Sequence, residues 1–177
     1  MKAYQVMVFA DEMRIGLHGQ GRRRWTPRGF KLRQKVELEY VWRYLVLAVA
    51  PKTGRLLWRW THNVKKEATQ EVVQKWKEQG VKGIIWDRAP SHRSRLVKEV
   101  GVHLVSLPAY SPELNPAERV FQEIRRAVEG IVYDGEIEKK VEAVEAFLNG
   151  LAADPERVRR LAGWSWIQEA LSELDAA

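Results

Sequence analysis

The sequence predicts an α/β chain: a mixed five-stranded sheet, three antiparallel strands followed by parallel ones, flanked by helices. Three observations predict it. The chain opens with apolar, β-branched and aromatic runs punctuated by Gly and Pro. The hydrophobic period then lengthens from that of strands to that of helices. Beyond that point strand-like and helix-like segments alternate, an order that needs crossovers and hence parallel pairing.

Residues 4–10 (YQVMVFA) form a buried strand ending at Asp11-Glu12. The next stretch carries Gly16, Gly19, Gly21, Pro27 and Gly29 and reads as loop or hairpin. Residues 39–50 (EYVWRYLVLAVA) are the strongest strand signal in the chain. Pro51-Lys52-Thr53-Gly54 supplies a turn, and residues 55–61 return antiparallel. Residues 67–79 place Ala68, Val72, Val73 and Trp76 on one helical face, with Gly80 as the stop. A strand over 81–87 ends in Asp87, a helix suits 91–100, and another strand covers 102–107. After a loop, Asn115 caps a helix with Pro116 at its first position, carrying Val120, Phe121, Ile124 and Val128. A further helix follows Gly135 with Ile137, Val141, Val144, Leu148 and Leu151, and residues 154–174 form two helical pieces broken at Gly163.

The 177 residues are enough for one hydrophobic core, and 1–177 reads as a single domain with C-terminal helices over about 135–175. No internal repeat or linker interrupts it. The longest apolar run, residues 44–51, is too short to cross a bilayer, and no charged-then-apolar leader opens the chain. These features predict a cytoplasmic protein with no membrane partner. The absence of cysteine excludes disulfides and thiolate metal sites.

The net charge of +7 is localised. Arg14, Arg22, Arg23, Arg24, Arg28, Lys31, Arg33 and Lys35 fall in one acid-free stretch, and without these eight the chain carries about −1. Such a patch attracts phosphate backbones, although it also reads as a solvated charged loop. Arg22, Arg23, Arg24, Arg28 and Lys31 are the candidate DNA contacts, with Trp25 placed to stack on an unpaired base. Of the other tryptophans, Trp42, Trp58, Trp60 and Trp86 are expected in the core, while Trp164 and Trp166 pack the last helix onto the body.

Three acids carry the candidate chemistry. Asp11 and Asp87 each follow an apolar run, and on neighbouring parallel strands they would emerge at the same end of the sheet, where open α/β sheets bind ligands. A carboxylate beside buried apolar groups is costly unless paired or bound to a cation, and hard divalent cations take oxygen ligands. Each Asp alone also reads as a cap or turn residue. Glu118 has the spacing of a capping box with Asn115, yet it lies beside Phe121 and can face the same sheet edge. Brought together, the three would repel unless cations neutralised them.

Four blocks carry a family resemblance. They are Phe9-Ala10-Asp11-Glu12, the basic segment 19–25 (GQGRRRW), Trp86-Asp87-Arg88-Ala89-Pro90-Ser91-His92, and the segment 107–118 (LPAYSPELNPAE). The last is the most specific. Over about residues 4 to 130 the sequence resembles the catalytic domain of bacterial insertion-sequence transposases related to mariner elements, which are DDE superfamily endonucleases. The resemblance implies an RNase H-like fold. It implies that Asp11, Asp87 and Glu118 are the catalytic, metal-binding triad, holding two Mg2+ or Mn2+ ions. It implies DNA transposition by cleavage of element ends and strand transfer, with DNA ends and target as partners, a homodimer, and a nucleoid-associated bacterial location. Glu12 and Glu113 match the blocks but are not expected as ligands. His92 stands where the family often has His, which implies a contact with the scissile phosphate or with groups behind the metal ligands. It also reads as a helix-start histidine bonded to backbone.

Three departures stand out. Asn is usual after the second Asp, where this chain has Arg88. The 30 residues between Asp87 and Glu118 are fewer than is usual. Family members carry an amino-terminal helix-turn-helix region, so either a separate reading frame supplies it as a separate DNA-binding subunit or this is a truncated remnant. Two other readings compete: a catalytically inactive or remnant DNA-binding module, and an RNase H-like nuclease acting on hybrids or branched DNA.

Overall fold

A computed structural model describes residues 7–18, 25–33 and 35–173. Its sheet is built from β1 (Met7–Gly16), β2 (Trp42–Ala50), β3 (Arg55–Thr61), β4 (Gly83–Trp86) and β5 (His103–Ser106), in the order β3-β2-β1-β4-β5. The β1–β2 and β2–β3 pairs are antiparallel, and the β1–β4 and β4–β5 pairs are parallel. The helices are α1 (Lys66–Glu78), α2 (Arg95–Glu99), α3 (Ala117–Val128), α4 (Ile137–Ala152), α5 (Pro155–Ala162) and α6 (Ser165–Glu173).

Alternation along β1 assigns the two faces of the sheet, because successive strand side chains point to opposite sides. Phe9, Met13 and Ile15 join Leu45, Leu47 and Val49 in a core shared with Val120, Phe121 and Ile124 of α3, Val144 and Leu148 of α4, and Val158 of α5. Val8 and Ala10 join Val46, Ala48 and Ile84 in a second core with Val72, Val73 and Trp76 of α1 and Val97 of α2. Gly54 closes the β2–β3 turn at φ +72°, and the backbone of Pro155 at the start of α5 sits where a Cβ would be. Only glycine fits that turn under that helix.

Several expectations need correction. The first strand does not end at Asp11-Glu12: β1 runs on to Gly16, paired with β2 as far as Trp42. The helix expected over 91–100 is reduced to α2, whose N-cap is Ser94, its Oγ accepting from Val97 N at 3.4 Å; turns occupy the residues before it. The core placement expected of Trp42 fails, since it starts a strand beyond the helical cover and is exposed. The Arg14 guanidinium lies 5.4 Å from the centre of its ring. Trp58 and Trp60 are half-buried and both donate through Nε1 to Glu145 of α4. Trp86 is buried as expected, and Trp164 packs against the first core while Trp166 is exposed. Residues 4–6 of the expected first strand lie outside the described residues.

Candidate active site

The sheet register sets the first two acids. Met7, Val8 and Phe9 of β1 pair with Gly83, Ile84 and Ile85 of β4. Carried two residues further, the same register puts Asp11 opposite Asp87. Asp11 is held mid-strand by pairing with Leu47 of β2, and it shares the face of Phe9 and Met13, toward α3. Asp87 follows the last residue of β4, where the chain turns away, and its Oδ1 accepts from Ala89 N at 2.9 Å.

Asn115 brings in the third acid. It is buried and joins two elements. Its Nδ2 donates to the Ala10 carbonyl at 2.9 Å and to Asp11 Oδ2 at 3.3 Å, while its Oδ1 accepts from Ala117 N at 3.1 Å. The start of α3 is thereby tied to β1, one helical step before Glu118. The capping box expected between Asn115 and Glu118 does not form: Asn115 N donates to Pro112 O, and the Glu118 carboxylate faces Arg125 at 3.9 Å. Pro116 precedes the first residue of α3 rather than occupying it. Glu113 sits in a short 3-10 turn, Pro112–Leu114, and is exposed.

Asp11, Asp87, Arg88, Tyr110, Asn115 and Glu118 all line one cavity of about 450 Å3. Burial pushes the Asp11 carboxyl up from 3.8 to about 7. The Glu12 amide donating to Oδ1 pulls the other way, and the charges of Glu12, Glu118 and Asp87 push it up again. The acids are therefore close enough to repel. Among the described residues no three acid or histidine side chains already enclose a point where an ion would sit.

Glu12 takes the opposite face from Asp11, and there it meets His92. The imidazole is 1% exposed and lies 3.9 Å from the Trp86 ring, stacked at 9°. Its Nε2 is 2.6 Å from Glu12 Oε1, and its Nδ1 is 2.7 Å from Asp87 Oδ1. Two carboxylate partners call for a donor at each ring nitrogen, which is the imidazolium form. Burial depresses the pKa of this ring, but the Glu12 hydrogen bond and the charges of Glu12 and Asp87 outweigh it and hold the value above the ordinary one. His92 is thus a bridge between two acids rather than a helix-start residue bonded only to backbone.

The candidate DNA contacts fare unevenly. Arg22, Arg23 and Arg24 lie outside the described residues. Trp25, Arg28 and Lys31 are exposed in the loop between β1 and β2. The Glu12–His92 and Asn115–Asp11 contacts span 80 and 104 residues, and no local pattern announced either.

A family model described as DDE superfamily endonuclease matches residues 6–134. This chain belongs to the DDE superfamily endonucleases. The sequence matches none of the curated proteins. Among solved structures, the Mos1 transposase paired-end complex with left transposon end matches this chain with TM-score 0.69 at 17% identity, over 97% of this chain and 55% of that one. The Mos1 mariner paired end complex with Mn gives TM-score 0.70 at 17% identity, covering 98% and 55%. The catalytic domain of Mos1 mariner transposase gives 0.59 at 18% identity, covering 98% and 82%. This chain spans about half the length of the Mos1 chains in those complexes. At these identities the likeness establishes the fold, which is RNase H-like, with a mixed sheet between two helical layers.

Proposed function

We propose that this chain is the catalytic domain of a transposase, cleaving DNA at element ends and joining them to a target with divalent metal ions held by Asp11, Asp87 and Glu118. One observation carries the reading: Asp11 of β1 and Asp87, just past the end of the neighbouring parallel strand β4, line one cavity, and a third acid reaches it from a helix start fastened to β1. The Mos1 complexes with transposon ends and with Mn, and the family membership, support it.

The residues fit Mg2+ or Mn2+. The donors are all carboxylate oxygens, the hard ligands such ions take. Burial, helped by the neighbouring carboxylates, keeps the proton on Asp11 to about pH 7, and an ion would offset both. When bound, two such ions stabilise the attacking and leaving oxygens of an in-line phosphoryl transfer. The chain's own residues prepare the cavity. Asn115 fixes the orientation of Asp11, and His92 holds Asp87 against rotation while balancing Glu12. Water or a DNA 3′-hydroxyl serves as nucleophile, so no side chain need form a covalent intermediate.

The partners in this reading are element-end and target DNA, a second copy of the chain, and a helix-turn-helix segment supplied elsewhere. The loop from β1 to β2 touches phosphates through Arg22, Arg23, Arg24, Arg28 and Lys31, with Trp25 stacking. Residues 1–177 act as one domain, in the nucleoid of a bacterial cytoplasm. Among the described residues no helix is long and apolar enough to cross a membrane.

Plasmid nicking in Mn2+ tests the proposal. The wild type should nick and Asp87→Ala should lose at least about 10²-fold, the scale for removing a transition-state charge stabiliser. Undiminished nicking by Asp87→Ala refutes the triad. DNA binding without nicking by the wild type would leave a binding module.

A further inference from the structure

Arg88 and Tyr110 flank the three acids, and neither is explained by folding. Arg88 follows Asp87 directly and lines the same cavity. Its Nε donates to the Leu107 carbonyl at 3.0 Å. Despite the acids nearby, it forms no ion pair within 4.0 Å among the described residues. The anchor fixes the guanidinium and leaves its Nη donors without a protein partner there. A planar fork with free donors beside carboxylates suits a phosphate oxygen pair.

Tyr110 stands on the other lip. Its side chain is fully exposed, and its backbone is left-handed at φ +58°, a region a bulky residue rarely adopts. The turn is held by Ser111 Oγ donating to Ala109 O at 3.3 Å, between Pro108 and Pro112. An aromatic ring presented to solvent on a constrained turn has no packing role. Leu107 links the two lips: its amide donates to Trp86 O at 2.7 Å, continuing the β4–β5 ladder, and its carbonyl anchors Arg88.

Resting on the endonuclease reading above, we infer that Arg88 and Tyr110 form a grip for one unpaired nucleotide beside the scissile phosphate, Arg88 holding its phosphate and Tyr110 stacking on its base. A paired base inside a duplex offers no free face to the ring, so the preferred DNA is unpaired at the cleavage point. The grip sets substrate form, whereas phosphate contacts alone fix only position.

Anisotropy with two fluorescent oligonucleotides tests it: a short duplex, and the same duplex with a central run of unpaired thymidines, with Ca2+ in place of Mn2+. The wild type should bind the unpaired probe more tightly. Tyr110→Ala should weaken that probe roughly tenfold while sparing the duplex, and Tyr110→Phe should restore it. Arg88→Ala should weaken both probes and lower the salt slope by about one, the share of one phosphate. Arg88→Lys should keep the slope and recover only part of the affinity, because it keeps charge without the fork. Both sites are exposed, so the variants should melt as the wild type does. If the wild type nicks DNA in Mn2+ yet both alanine variants keep its preference and salt slope, the grip is wrong and the endonuclease reading stands. If the wild type neither binds nor nicks DNA, both fall.

Discussion

Asp11 makes the metal-free protein less stable as pH rises, and replacing it with Asn should reverse that. The unfolded carboxyl ionises near 3.8, whereas the folded one keeps its proton to about 7. Between those values the unfolded state has lost its proton and the folded state has not, so each step up in pH favours unfolding. Above about 7 both are ionised and the penalty is complete. A displacement of this size corresponds to about 4 kcal/mol at most. Partial solvent access lowers it, as does the acceptor that Asn115 loses when Oδ2 becomes an amide, so about 2 kcal/mol is expected. For a chain of this length that is a rise in Tm of about 4–8 °C for Asp11→Asn at pH 8. At pH 4 the gain should vanish, and the lost Asn115 contact should leave the variant slightly less stable. Thermal melts of both proteins in chelator across this range give the difference directly, and groups common to both cancel. Added Mn2+ should then raise the wild-type Tm more than the variant's, because it binds the ionised folded state. A Tm difference constant from pH 4 to pH 8 would refute the reasoning.

The other perturbations separate the two contacts that organise the cavity. His92→Ala strands the Glu12 carboxylate and frees Asp87, so a loss of about 2–4 kcal/mol in denaturant titrations is expected, with His92→Gln recovering part. The stability that His92 supplies is complete below its ordinary 6.5 and is lost as pH climbs through its raised folded value, so the cost of His92→Ala should shrink at alkaline pH. A pH-independent cost would refute the ion-pair account. Asn115→Ala removes three bonds and leaves the Ala10 carbonyl unsatisfied, for about 2–3 kcal/mol. Asn115→Asp keeps the Ala117 cap but opposes Asp11 with a like charge, so its melt should worsen from pH 5 to pH 8; parallel curves would argue against that contact.

The sequence made the fold legible where period and punctuation agree. The pattern Val72, Val73, Trp76 gave α1, and the breaks at Gly135 and Gly163 gave the C-terminal helices close to their observed bounds. It misled where polar side chains interrupt the pattern. Two acids in the middle of β1 disguise an alternation that resumes at Met13 and Ile15, so the sequence reads as a strand ending at Asp11-Glu12 where β1 continues to Gly16. Residues 91–94 look helical by composition, but Pro90 and the contacts of His92 hold them in turns. Asn115 shows as a cap because capping is local; its bonds to Ala10 and Asp11 cross the fold. Arg88 was visible as a departure from the family pattern, while its anchor at Leu107 needed the β4–β5 register to be seen.

That misplaced strand end bears on how the site works. Had Asp11 closed its strand, its backbone would be free to adjust, like that of Asp87. Instead β1 parts from β4 after Phe9 yet stays paired with β2 to Gly16, so Asp11 sits at a split in the sheet with its backbone locked on one side. The split opens the cavity, and the ladder to Leu47 keeps it from collapsing. Asp87 lies across the split on a turn and depends for its position on His92 and the Ala89 amide. One acid is fixed by sheet pairing and the other by side-chain bonds. Adjustment to an ion or a phosphate should therefore fall on Asp87, the exposed acid of the three, while Asp11 provides the fixed point.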